Sequence, residues 1–149
     1  MIKGGCRCGA SRYAVDLPWP PLTYACHCTL CQRATGSAFA LQYPTPENRF
    51  RVTGALVEAE VAEPDGLSSV HRHCQSCLTR LFGTSVRRPG LVIVRAGTID
   101  GSERVTPILH IYTSTKQPWL IVPAGVQTFS GAASPDEFKE VWARHLQSR

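Results

Sequence analysis

The sequence predicts a mainly β fold of antiparallel sheets, with one helix at the C-terminal end of the chain. Twelve glycines and eleven prolines among the 149 residues are typical of many short strands joined by turns. Hydrophobic residues make up 43% of the chain, which is enough to form a packed core, whereas charged residues make up only 18%. The length fits a single domain over residues 1–149.

Short β-branched and aromatic runs recur between turn residues and predict the strands. They lie at 11–15, 23–26, 37–43, 50–53, 56–61, 69–73, 80–84, 91–95, 107–112 and 119–122. Turns are predicted at 44–46, 63–66 and 88–90, because Pro fixes φ and Gly tolerates positive φ. A short helix is predicted over 32–35, ending at Gly36.

The C-terminal helix is predicted over about 135–147. Ser134 is an N-cap residue, Pro135 occupies the first helical position and Glu137 the capping-box position. Helical spacing puts four side chains on one face, with Leu146 beside them: Phe138, Val141, Trp142 and His145. We expect this face to pack on a sheet.

Several classes of protein are excluded by composition. No apolar run approaches the roughly 18 residues of a membrane span, so an integral membrane protein is excluded. The N-terminus has no apolar segment typical of a secretion signal, so a cytoplasmic location is expected. The net charge of +5 comes from scattered basic residues, which argues against a nucleic-acid partner.

The seven cysteines require an explanation other than disulfides, which a reducing compartment disfavours. All seven belong to tight groups with the spacing of metal ligands. The groups are a C-x-C pair, a C-x-C-x-x-C triplet and a C-x-x-C pair: Cys6 and Cys8; Cys26, Cys28 and Cys31; Cys74 and Cys77. Gly9, which follows the first pair, would permit the sharp turn that brings two thiolates to one ion.

The two pairs together supply the four ligands of a closed structural zinc site, Cys6, Cys8, Cys74 and Cys77. The triplet supplies three ligands, and an open fourth position is typical of a catalytic zinc. A thiol in that position would be deprotonated. We therefore predict one structural and one catalytic Zn²⁺, with Cys26, Cys28 and Cys31 as the catalytic residues.

Other interpretations of the cysteines stay open. Cys74 and Cys77 could form a redox couple, or mild oxidation of exposed thiolates could make the chain a redox sensor. A histidine could close the triplet, and the candidates are His27, His71, His73 and His110. Alternation along extended segments would point His27 away from Cys26 and Cys28, and would put His71 and His73 on the face opposite Cys74.

The motifs resemble those of the glutathione-dependent formaldehyde-activating enzyme family, which includes the centromere protein V domain. The resemblance covers about residues 3–122. It rests on these segments, as they stand in the chain: Gly4-Gly5-Cys6-Arg7-Cys8-Gly9-Ala10 with Arg12-Tyr13, Cys26-His27-Cys28-Thr29-Leu30-Cys31-Gln32-Arg33, Cys74-Gln75-Ser76-Cys77, Ala96-Gly97-Thr98-Ile99-Asp100, His110-Ile111-Tyr112 and Pro118-Trp119.

The resemblance implies a β-tent fold whose antiparallel sheets are held together by zinc. It also implies a structural zinc on Cys6, Cys8, Cys74 and Cys77, and a second, substrate-side zinc on the triplet. The implied activity is that of a carbon–sulfur lyase that forms or cleaves S-hydroxymethylglutathione, with glutathione and formaldehyde as partners.

Residues near the triplet are candidates for substrate binding. Glutathione is negatively charged, so Arg33 could bind one of its carboxylates, although a solvated helix residue is an alternative interpretation. Thr29, Gln32 and Ser37 are positional candidates. A different class of function also stays open, a zinc-containing binding module for protein or nucleic acid without catalysis.

Overall fold

The computed structural model describes residues 1–62 and 66–147. Over these residues the fold is mainly β, and the predicted C-terminal helix is present. The strands are β1 (Ile2–Gly5), β2 (Arg12–Val15), β3 (Thr23–Cys26), β4 (Ala40–Pro46), β5 (Phe50–Thr53), β6 (Leu56–Ala62), β7 (Ser68–Cys74), β8 (Arg80–Ser85), β9 (Leu91–Arg95), β10 (Pro107–Ile111) and β11 (Gln127–Thr128). The helices are α1 (Thr29–Thr35) and α2 (Pro135–Gln147).

The chain divides into two compact units. The first contains Met1–Pro21 and Tyr43–Val105, and the second contains Leu22–Gln42 together with the chain from Thr106 onward. Strand β4 crosses the boundary between them. The single-domain organisation over 1–149 stays a prediction.

The first unit packs aromatic side chains between its strands. Strands β1, β2 and β5 form a three-stranded antiparallel sheet, and β6, β7, β8 and β9 pair antiparallel in that order. Tyr13 of β2 stacks on Phe50 of β5 at 5.6 Å between ring centroids, and Phe50 meets Phe82 of β8 at 4.7 Å. Full burial of a ring such as that of Phe82, which is 4% exposed, stabilises the fold by about 1.5–3 kcal/mol.

The second unit packs helix α2 on a mixed sheet. Strand β3 pairs antiparallel with β4 and parallel with β10, which in turn pairs parallel with β11. Phe138 of α2 meets Tyr24 of β3 edge-to-face at 5.2 Å, and Val141 is also buried. The packing of this helix on a sheet is thus confirmed. The parallel β3–β10 pair departs from the predicted antiparallel arrangement, because a long crossover separates these strands in the sequence.

The capping predicted for α2 is confirmed. The Ser134 hydroxyl accepts a hydrogen bond from the Glu137 backbone N–H at 3.2 Å, and the Glu137 carboxylate accepts one from the Ser134 N–H at 2.7 Å. These bonds form the predicted capping box. Leu146, however, is 56% exposed, so the apolar face ends before it.

Other local predictions were wrong in part. The segment 44–46 continues strand β4 rather than turning, and 119–122 is not a strand. The prediction missed β1, whose sequence Ile-Lys-Gly-Gly has little strand propensity, and the two-residue β11. The turn at 88–90 is confirmed, whereas the turn at 63–66 falls largely outside the described residues. No helix of the described residues is long and apolar enough to cross a membrane.

Candidate metal centres

Four cysteines of the first unit converge on one point. The sulfur atoms of Cys6, Cys8, Cys74 and Cys77 all lie within 4.8 Å of one another. The Cys6–Cys8 Sγ distance is 3.4 Å and the Cys8–Cys74 distance is 3.8 Å. Four sulfurs at about 2.3 Å from a tetrahedral zinc would be about 3.8 Å apart. The donor set and its spacing therefore fit a closed zinc site.

Two similar turns build this cluster. The Gly9 N–H donates to the Cys6 carbonyl at 3.1 Å, and the Leu78 N–H donates to the Cys74 carbonyl at 2.9 Å. Gly9 has a φ of 81° and Leu78 a φ of 56°. Each turn thus ends in a left-handed residue directly after its second cysteine, as the sequence predicted for Gly9.

Hydrogen bonds favour the thiolates of Cys6 and Cys77 in this cluster, whereas the neighbouring sulfurs raise the pKa of Cys8. The Ser11 backbone N–H donates to Cys6 Sγ at 3.3 Å. Thr79 contacts Cys77 Sγ through its hydroxyl at 3.2 Å, and its side chain and backbone lower the pKa of Cys77 to about 5. Metal binding requires the deprotonated thiol, so these bonds prepare the ligands.

The triplet of the second unit also converges. The sulfurs of Cys26, Cys28 and Cys31 lie within 4.8 Å of one another, with Cys26 and Cys28 3.6 Å apart. Cys26 ends strand β3, Cys28 caps the N-terminus of α1, and Cys31 lies in its first turn. No histidine of the described residues joins either sulfur cluster. The donor set is thus three sulfurs, which fits zinc with one position left for another ligand.

Polar groups hold the triplet sulfurs in place. The Cys31 N–H donates to Cys28 Sγ at 3.3 Å, and neighbouring Cys26 and Cys31 lower the pKa of Cys28 well below that of a free thiol. Gln42 of β4 donates its amide N–H to Cys31 Sγ at 3.4 Å, while Tyr24 donates its hydroxyl to Gln42 Oε1 at 3.0 Å. Sequence reasoning missed Gln42 and Tyr24, because nothing in their spacing relates them to the cysteines.

A buried imidazole pair lies behind the triplet segment. His27 is fully buried, and its Nε2 lies 2.8 Å from Nδ1 of His110 on β10. Burial, and then the charges of His27 and Lys116, lower the pKa of His110 to about 4. The ring of His27 thus points away from its cysteine neighbours, as alternation predicted, and both imidazoles are neutral near pH 7.

A pocket of about 540 Å³ opens along helix α1, which carries Cys31. Its walls are these side chains and backbone segments: Gln32, Arg33, Gly36, Ser37, Ala38, Gln117 and Trp119. Trp119 is 70% exposed, and Arg33 has no ion-pair partner among the described residues.

Gln32 forms one wall of this pocket and is held rigidly. Its amide N–H groups donate to the His27 carbonyl at 2.6 Å and the Thr115 carbonyl at 2.8 Å, and its oxygen accepts from Gln117 at 2.7 Å. Of the positional candidates, Gln32 and Ser37 line the pocket and Thr29 does not. Helix α1 begins at Thr29 rather than at residue 32, because Cys28 supplies its cap.

Comparisons with known proteins identify the family of the chain. The family model described as "Glutathione-dependent formaldehyde-activating enzyme" matches residues 1–115, a span that contains all seven cysteines. The chain belongs to this family. The resemblance seen in the sequence motifs is thereby confirmed.

Similar proteins extend the match beyond the family model. A curated protein of Halomonas elongata, provisionally named as a glutathione-dependent formaldehyde-activating enzyme, is 30% identical over 98% of this chain and 96% of its own length. A crystal structure of a Rhodobacter sphaeroides protein aligns with a TM-score of 0.53 at 24% identity, over 70% of this chain and 91% of that one. This last likeness concerns the fold alone.

Proposed function

We propose that this member of the formaldehyde-activating family is a carbon–sulfur lyase that joins glutathione and formaldehyde at the Cys26–Cys28–Cys31 triplet. The observation that carries the proposal is the incomplete donor set of three sulfurs, together with a pocket lined by residues of the helix that carries Cys31. Cys26, Cys28 and Cys31 would hold the zinc, which would supply a Lewis acid that lowers the pKa of an incoming thiol.

The overall reaction balances without an oxidant or a reductant. The glutathione sulfur attacks the carbonyl carbon of formaldehyde, a C–S bond forms and the C=O π bond breaks. The proton lost by the thiol ends on the new hydroxyl oxygen of S-hydroxymethylglutathione. Cleavage of the adduct is the same sequence in reverse.

The surroundings of the triplet support an oriented thiol. Gln42 restrains Cys31 by a hydrogen bond, and the helix N-terminus restrains Cys28. The buried His27–His110 pair supports the strand and helix ends from which the sulfurs project. Such orientation converts a bimolecular encounter into a step between groups already in place.

The pocket offers groups that suit the peptide part of glutathione. Arg33 is an exposed guanidinium that can bind a carboxylate through two parallel hydrogen bonds. Trp119 presents a flat apolar wall, and the side chains of Gln117 and Ser37 offer hydrogen-bonding groups. We infer that Arg33 is a substrate-binding residue and that the triplet supplies the reacting centre.

The proposal is tested by following adduct formation by NMR. The reaction also proceeds without enzyme, so this background rate must be subtracted. The Arg33→Gln variant removes a charge-assisted hydrogen bond, so we expect KM for glutathione to rise about tenfold or more while kcat stays close to the parent value. The matched control is Arg144→Gln, which removes the same charge from the exposed side of helix α2.

Two results would contradict the proposal. One is a zinc-loaded parent protein that does not accelerate adduct formation or cleavage above the spontaneous rate. That result would favour a binding module. The other is an equal KM in the parent and the Arg33→Gln variant, which would remove Arg33 from the substrate site.

A further inference from the structure

The segment that follows strand β10 presents an exposed tryptophan to the α1 pocket. Trp119 lines this pocket together with Arg33 of α1, and it is 70% exposed. The other two tryptophans of the chain, Trp19 and Trp142, each pack against another side chain. Aromatic walls are typical of pockets that bind small molecules, so the exposed ring of Trp119 is a candidate ligand contact.

Trp119 lies at the tip of a β-turn. The Leu120 N–H donates to the Gln117 carbonyl at 3.1 Å, which closes a four-residue turn with Pro118 and Trp119 at its centre. Proline at the second position of such a turn fixes φ at a suitable value. The exposed ring is therefore carried by a defined backbone turn.

The ammonium group of Lys116 joins the two ends of this turn. Its Nζ donates to the Gln117 carbonyl at 3.1 Å and to the Leu120 carbonyl at 2.5 Å. Lys116 is half-buried, and within residues 1–62 and 66–147 it forms no ion pair with a carboxylate. Ordering a lysine side chain costs conformational entropy, which these two charge-assisted hydrogen bonds offset.

The side chain of Gln117 ties the same turn to helix α1. Its amide donates to Gln32 Oε1 at 2.7 Å, and Gln32 in turn donates to two backbone carbonyls. The turn is thus held across its ends by Lys116 and at its side by Gln32. Rigid presentation of an aromatic ring lowers the entropy that is lost when a ligand packs on it.

We propose that Trp119 is the residue by which the α1 pocket recognises the peptide part of its thiol substrate, and that Lys116 is a positioning residue that acts through the Gln117–Leu120 turn. The indole ring offers a flat apolar surface to a planar peptide group, while Arg33 can bind a carboxylate of the same molecule. The substrate class is therefore a peptide thiol rather than a small thiol without an amide. This inference rests on the proposed function, because it takes glutathione as the substrate.

The role of Trp119 is tested by calorimetric titration of the zinc-loaded protein with γ-glutamyl-2-aminobutyryl-glycine. This glutathione analogue carries a methyl group in place of the thiol, so its binding involves the peptide part and no reaction. We expect saturable binding to the parent and at least about tenfold weaker binding to Trp119→Ala, which loses the apolar contact. Ile121→Ala is the matched control and should bind as the parent does, because Ile121 is 88% exposed in the same segment and is not among the residues that line the pocket.

The role of Lys116 is tested by a double-mutant cycle with the same titration. Lys116→Met removes the ammonium group and keeps most of the side-chain volume, so we expect binding to weaken about tenfold. Added to Trp119→Ala, the same substitution should weaken binding much less, because Lys116 acts through that residue. Lys139→Met removes an ammonium group from an exposed position of α2 and should bind as the parent does.

Three results would overturn the proposal. They are the absence of saturable binding of the analogue to the parent, equal affinities of the parent and Trp119→Ala, and additive effects of the Lys116 and Trp119 substitutions. Because Trp119 is exposed, the comparison with Trp119→Ala stays decisive even if Lys116→Met does not fold. None of these results depends on turnover, so they are distinct from a failure of the lyase proposal, which is a zinc-loaded parent that does not accelerate adduct formation or cleavage.

Discussion

Leu78 shows how a single residue adapts to the turn that carries Cys74 and Cys77. It follows Cys77 with a φ of 56°, the region that Gly9 occupies after Cys8. A left-handed conformation costs a non-glycine residue about 1–2 kcal/mol. The side chain is 67% exposed and contributes little burial in return. The convergence of four sulfurs thus outweighs the local preference of this leucine.

The Leu78→Gly variant should therefore be more stable than the parent. Relief of the left-handed strain exceeds the extra backbone entropy of glycine in the unfolded chain, so we expect the free energy of unfolding to rise by up to about 1 kcal/mol. Denaturant unfolding of the zinc-loaded proteins measures this change. Val86→Gly, at an exposed turn residue without positive φ, should instead be destabilising. If the Leu78→Gly variant were no more stable than the parent, the left-handed conformation of Leu78 would not be destabilising.

At the scale of elements, β3, α1 and β10 form one support for the triplet. Cys26 and Cys28 flank His27, whose ring reaches His110 across the parallel β3–β10 pair. The Thr115 hydroxyl donates to the His27 carbonyl at 3.0 Å, and Gln32 donates to the same oxygen. The short segment between strand and helix is thereby fixed from both sides.

The lowered pKa of His110 predicts that the free energy of unfolding depends on pH. His110 titrates near pH 4 when folded and near 6.5 when unfolded, so the unfolded chain binds the extra proton between these values. Its contribution to stability is complete above about pH 6.5 and is lost as the pH falls towards 4.

The His110→Asn variant tests this dependence, because Asn retains a polar atom near the position of Nδ1 but does not titrate. Unfolding free energies measured from pH 7 to pH 4.5 should fall more steeply in the parent, by at most about 1.4 kcal/mol per pH unit. The comparison cancels the acid sensitivity of the cysteine sites, which both proteins share. Equal slopes would contradict the lowered pKa.

At the scale of the whole molecule, the sequence predicted the two cysteine clusters better than it predicted the path of the chain. The cysteine clusters were predictable because cysteines one to two residues apart in the sequence have the spacing of ligands to one metal ion. Strand β1 was not predictable, since its two glycines give it little strand propensity and its pairing with β2 overrides that preference. The parallel β3–β10 pair was not predictable either, since its two strands lie far apart in the sequence. The contacts of Gln42 and Tyr24 likewise depend on strand register.

The proposal that the triplet is a second, open zinc site is tested by metal analysis of reduced, untagged protein. The proposal predicts about two zinc ions per chain in the parent, one for each sulfur cluster. It predicts about one in the Cys28→Ser variant, which keeps the Cys6–Cys8–Cys74–Cys77 site intact. One zinc ion in the parent, unchanged by Cys28→Ser and not raised by added zinc, would contradict it.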